Sequence, residues 1–230
     1  MSDEFAEKVS WGNNRKLRTA AIVLITGICG WFMMELEILG VRLLTPFFGS
    51  AVEVVAGSVI GVFLLSLSVG YILGGWSSKK TNSKFILGII IAAAGVWLLV
   101  MPFFIETVCE KMYDAGLDEK WGSLFACLIL FGVPTMLLGT VSPIAVHWLT
   151  SRASESGLNA GVVLAFSTAA GFAGCLVTTF YLVLVSMRQT MIISGIILAV
   201  LGGVILLQAS IEGKRNREKE ELVSNERKTF

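Results

Sequence analysis

Charge is scarce in this sequence. Asp, Glu, Lys and Arg make up 15% of its 230 residues against 55% hydrophobic, and a mean hydropathy of +0.78 is far too apolar for a water-soluble globule. Histidine is nearly missing: His147 stands alone, which removes multi-histidine metal sites and leaves a side chain whose expected role is to cap or snorkel at a span end. The four cysteines, Cys29, Cys109, Cys127 and Cys175, show no CxxC spacing, and three lie inside apolar runs as small hydrophobes. No disulfide framework and no metal site are expected. A formal net charge of +1 lacks the basic excess that nucleic-acid binding requires. No segment outside the apolar runs is long enough to bury a core of its own, so neither a catalytic domain nor a cofactor is expected.

What the sequence has is long apolar runs. Crossing a hydrocarbon core of roughly 30 Å takes about 20 apolar residues as a helix, the one open-ended structure that satisfies its own backbone in lipid. Six runs qualify: Thr19 to about Leu44, Val52 to Leu73, Phe85 to Ile105, Leu124 to about Trp148, Leu158 to Val185 and Thr190 to Leu207. The expected fold is an all-α, polytopic transmembrane helix bundle of about six spans. Its parts are an N-terminal segment (residues 1–18), a membrane domain (19–208) and a charged tail (209–230). Arg15, Lys16 and Arg18 lead into a run too long for a signal-peptide core, with no A-x-A site after it, which predicts a retained first helix.

Orientation follows from the basic residues, which concentrate on the cytoplasmic side. With both termini inside, fourteen of the eighteen Lys and Arg residues are cytoplasmic, and only Arg42, Lys111, Lys120 and Arg188 are outside. This places a multi-pass chain in a cell membrane of the inner-membrane type, with N and C termini in the cytoplasm. The longest outer segment, around Glu106 to Lys120, is acidic and reads as a solvated loop. Trp76, Trp121 and Trp148 fall at span edges, where indole rings anchor. The tail from Glu212 mixes opposite charges densely, as a short exposed helix or a disordered segment does.

Small residues recur at helical spacing. The second span carries Gly57 and Gly61, then Ser66, Gly70 and Gly74; the fifth carries Gly157 and Gly161, then Ser167, Gly171 and Gly174. In lipid such stripes mark faces where backbones approach closely, so these two helices are expected to be central, either as plain packing or as surfaces that rock. The run GVPTMLLGTVSP sets Pro134 and Pro143 in the fourth span. Each removes a backbone donor and clashes with the preceding turn, which predicts a kink or local unwinding. The freed carbonyls either line a cavity or are absorbed by packing.

Four charges interrupt the apolar pattern: Glu35, Glu37, Arg42 and Glu53. Arg42 near a helix C-terminus and Glu53 near a helix N-terminus complement the helix dipole. Glu35 is deepest, roughly 24 Å along the first span at 1.5 Å per residue. An acidic side chain in lipid costs on the order of 2.5–3.5 kcal/mol at mid-bilayer, so it needs a partner or a role. Arg42, seven residues on, returns to the same helical face, whereas Glu37 points nearly the other way. Glu35 therefore serves either a structural ion pair with Arg42 or a cationic ligand or proton.

The run ELEILGVRLLTPFFG ending at Gly49, then VIGVFLLSLSVGYILGG (Val59 to Gly75), GTVSPIAV in the fourth span and AGVVLAFSTAAGFAGCL in the fifth resemble, in that order, the membrane domain of the fused major-facilitator and spermidine-synthase proteins. The family-like positions are Glu37, Arg42, Pro46, Gly49, Gly70, Gly74, Gly75 and Pro143. The resemblance implies half of a major-facilitator-like bundle, assembled as a homodimer or with a partner subunit, and polyamine-related biology. In that family a soluble aminopropyltransferase-like domain follows the bundle and holds the chemistry, so this chain by itself is expected not to be an enzyme. Its expected function is transporter-like: to bind or move a small cation such as a polyamine. The alternative is a membrane anchor for a separately encoded spermidine-synthase-like or other partner.

Overall fold

A computed structural model describes the backbone of residues 2–49, 52–80, 83–150 and 156–228, and the side chains of residues 19–49, 54–80, 83–150, 157–182 and 184–215. Among these residues the chain is helical, without a strand. The α-helices are α1 (Ser2–Phe48), α2 (Val52–Ser78), α3 (Ser83–Val100), α4 (Ile105–Asp114), α5 (Glu119–Cys127), α6 (Val133–Gly139), α7 (Val141–Leu149), α8 (Ser156–Phe180) and α9 (Met187–Lys228). Six helical stretches are long and apolar enough to cross a membrane: Thr19–Phe48, Val54–Ser78, Ser83–Phe103, Glu119–Leu149, Gly157–Phe180 and Met187–Arg215. The chain is thus a membrane-spanning all-α bundle, and an even number of crossings brings both ends to one side.

The spans pair, and glycine sets each pairing. Spans one and five run parallel, with Gly30 against the Ser167 backbone and Gly174 against that of Trp31. Spans two and four do the same through Gly70 against Met136 and Gly74 against Thr140. Spans three and six are antiparallel: Gly88 meets Leu206, Gly95 meets Ala199, and Gly202 in turn meets Ala92. In all three pairs a Cβ on the glycine would strike backbone or branch atoms closer than real Cβ contacts come, so the bare Cα is what lets the helices touch.

Neither of the two helices expected to be central is so by enclosure. The fourth span is the most enclosed, with 61% of its most apolar stretch buried, and the second and fifth are the least, at 33% and 17%. A glycine stripe secures one close neighbour on one face; enclosure needs neighbours on several sides. α8 has essentially α1, with α7 at one end, whereas α6 is held among α1, α2 and α3. A Cβ at Gly57, Gly61, Gly157 or Gly161 meets nothing, so each stripe is a contact in one half only.

The fourth span departs from regular helix at its prolines. A π-helical turn, Leu128–Gly132, precedes Pro134, and a break at Thr140 separates α6 from α7 just before Pro143. Pro134 cannot donate to the carbonyl of Leu130, four residues back. That oxygen instead accepts a bond from Trp97 Nε1 at 2.9 Å. At this position the freed carbonyl is absorbed by packing.

The outer segment expected as a solvated loop contains the helix α4. It buries Ile105 and Cys109 and exposes Glu106, Glu110 and Tyr113. Gly116, with φ of +69°, turns the chain into α5, a left-handed conformation that favours glycine. The backbone helix is continuous across both 18/19 and 208/209, so α1 and α9 project beyond the spans at the shared end. There Lys84 of α3 is ion-paired with Glu212 of α9, and Lys80 sits 4.1 Å over the Trp76 ring.

Candidate functional site

α1 carries Trp31 and Glu35 one turn apart, so the indole lies directly above the carboxylate on one helical face. Trp31 Nε1 donates to Glu35 Oε2 at 3.1 Å. The other oxygen, Oε1, accepts a short bond from Ser194 Oγ of α9. Glu35 is 1% exposed. Both bonds come from neutral donors, one to each oxygen, so neither brings a positive charge to Glu35.

This carboxylate lies at the floor of a groove of about 620 Å³ framed by α1, α8 and the start of α9. α1 forms the base through Gly27, Ile28 and Glu35, and Phe166 of α8 and Ile197 of α9 form opposite rims. From Leu24 to Glu35 the floor is roughly 16 Å long at 1.5 Å per residue. Glu35 is the one charged residue among the described residues that line it. The volume lies within the range of small-molecule sites, which are apolar with a few polar groups. One carboxylate, two hydroxyls and one indole N–H are a poor donor set for a metal ion, and among the described residues no three His, Cys, Asp or Glu side chains gather to hold one.

The other sites expected from sequence fall elsewhere. Glu37 is half-buried and does not line the groove, in keeping with its opposite direction on α1. Arg42 is exposed and engaged by a neighbour; Glu35, on almost the same helical angle, is buried against α9 and has Trp31 and Ser194 as partners. The Glu53 side chain lies outside the described residues. Pro134 and Pro143 shape the fourth span, away from the groove. Of the named glycines, Gly70, Gly74, Gly171 and Gly174 hold helix contacts, and Gly57 and Gly61 face open space.

Sequence reasoning missed Trp31, Ser194 and Phe166. Trp31 had a usable signal, since an indole four residues before an intramembrane glutamate is a donor at bonding distance. Ser194 and Phe166 carry no such signal, because their relation to Glu35 depends on helix pairing. The glycines that join spans three and six were also overlooked, although Gly88 and Gly95 on one helix and Gly195 and Gly202 on the other share a seven-residue spacing.

No protein-family model, curated protein or solved structure matches this chain. What the protein is rests on its composition, its six spans and this groove.

Proposed function

We propose that this membrane protein binds a small cation at Glu35 and acts as a transporter-like carrier, related to the membrane half of the fused major-facilitator and spermidine-synthase proteins. The observation that carries the reading is that, among the described residues, Glu35 is a buried carboxylate bonded by two neutral donors at the floor of a groove with no basic side chain in its lining. A fixed cationic partner would make such a group structural; its absence from the lining favours a mobile one. A polyamine is the ligand that the family resemblance suggests. The test is equilibrium binding of radiolabelled spermidine, with a simple monovalent amine in parallel, to the purified 230-residue chain in nanodiscs. Binding that Glu35→Gln abolishes while folding is retained supports the reading, and equal binding by wild type and variant retires Glu35 as the ligand group.

A second reading is favoured by a different observation. α9 runs unbroken from Met187 to Lys228, carrying the densely charged tail beyond the end of the span. This suits a membrane subunit that anchors a separately encoded aminopropyltransferase-like partner. Co-purification of such an enzyme with the whole chain, lost on removal of residues 216–230, would establish anchoring; co-purification unaffected by that truncation would reject it.

A further inference from the structure

Resting on the reading of Glu35 as a cation site, we propose that the groove selects a lipophilic monocation, one charge on an apolar body, taken up sideways from the bilayer. Charge count comes first. Glu35 is the one charged residue among the described residues lining the groove, so a single positive centre is complementary. A polyamine has further ammonium groups that would be stranded against carbon, where an unpaired charge is strongly disfavoured.

The remaining wall chemistry agrees. Trp31, Phe32 and Phe166 put three aromatic rings on the groove alongside Glu35, and ring faces attract cations, more so when desolvated. The rest is aliphatic apart from Gly27 and the hydroxyl side chains of Thr190 and Ser194. Access is set by position: Phe166 and Ile193 are 53% and 55% exposed, both lie well inside spans five and six, and the bundle's surface at that depth faces acyl chains. A ligand that partitions into lipid reaches the groove between these residues without crossing the protein, and Leu182 and Val185, between the two spans, line its other end.

The probe is tetraphenylphosphonium, with spermidine, the isosteric anion tetraphenylborate and neutral tetraphenylmethane as comparisons, each measured for binding to the nanodisc-reconstituted chain. Saturable tetraphenylphosphonium binding is expected, weakened by about tenfold or more in Glu35→Gln, as loss of a desolvated charge partner does. Ile197→Trp keeps the carboxylate and fills the groove, so it must also abolish binding, which preserves the test should Glu35→Gln misfold. Four results overturn the inference. Equal binding of the neutral isostere shows a slot for acyl chains, and undiminished binding in Ile197→Trp places the cation elsewhere. Glu35-dependent spermidine binding with none of tetraphenylphosphonium rejects the lipophilic class while leaving the cation site standing; binding of neither cation removes both.

Discussion

At the scale of single residues, Glu35 is held by a division of labour between helices. Trp31 fixes one oxygen within α1, and Ser194 fixes the other from α9, so the carboxylate also ties the first span to the last. A hydrogen bond to a charged group contributes about 1.5–3 kcal/mol, and leaving it unmade in a buried place costs a similar amount. Ser194→Ala and Trp31→Phe are each expected to lower unfolding stability in detergent by about 1–3 kcal/mol, with the greater loss in the double variant. Unchanged stability in both single variants would mean that these bonds hold nothing together. Cys109, outside the spans, offers a second check. Burial first, and then the neighbouring Glu110 charge, push its thiol up to about 12. Because the thiolate is the reactive form and its fraction rises tenfold per pH unit below the pKa, Cys109 should resist maleimide at pH 7–8 and gain reactivity as pH climbs toward 12. Rapid labelling at neutral pH of Cys109 itself, in a folded variant whose other three cysteines are replaced by Ser, would contradict that burial.

At the scale of elements, the bundle is three glycine-mediated pairs arranged around an irregular fourth span. Gly95→Leu and Gly202→Leu are expected to disrupt assembly, because a Cβ alone already collides with the facing backbone at each position. Gly61→Ala is expected to be neutral, since its Cβ meets nothing; thermal unfolding of the three variants separates contact glycines from idle ones, and a uniform response would refute the distinction. This is also where sequence reading reaches its limit. Span existence is written in run length and hydropathy, and all six runs are helices near the expected bounds. Partnership is not written in one helix: the stripe on α8 is as regular as that on α2, yet only the three-dimensional pairing tells that α8 lies at the margin. α4 escaped notice because its apolar residues, Ile105, Val108, Cys109 and Met112, are matched in number by the charges Glu106, Glu110, Lys111 and Asp114, although their i, i+3, i+4, i+7 spacing is that of a half-buried helix.

At the scale of the whole molecule, the basic residues and the span count make one joint claim about sidedness. Single cysteines placed at the exposed positions Gly116 and Gln189 should label from outside intact cells, and one at exposed Lys80 only after permeabilisation. Reversal at both sets would overturn the charge argument. The Glu35 groove was legible only in part for a related reason. An intramembrane carboxylate announces itself in sequence, but the groove exists because α8 and α9 stand apart over α1, a relation among residues more than a hundred positions distant. The central claim, that this carboxylate serves a cation, is tested most directly by thermal unfolding of wild type and Glu35→Gln with and without tetraphenylphosphonium. A ligand that binds only the folded state stabilises it by about 2.7 kcal/mol at a hundredfold excess over Kd. Wild type is expected to gain melting temperature with the cation and folded Glu35→Gln to gain none; an equal gain in both, or none in either, would contradict a cation site at Glu35.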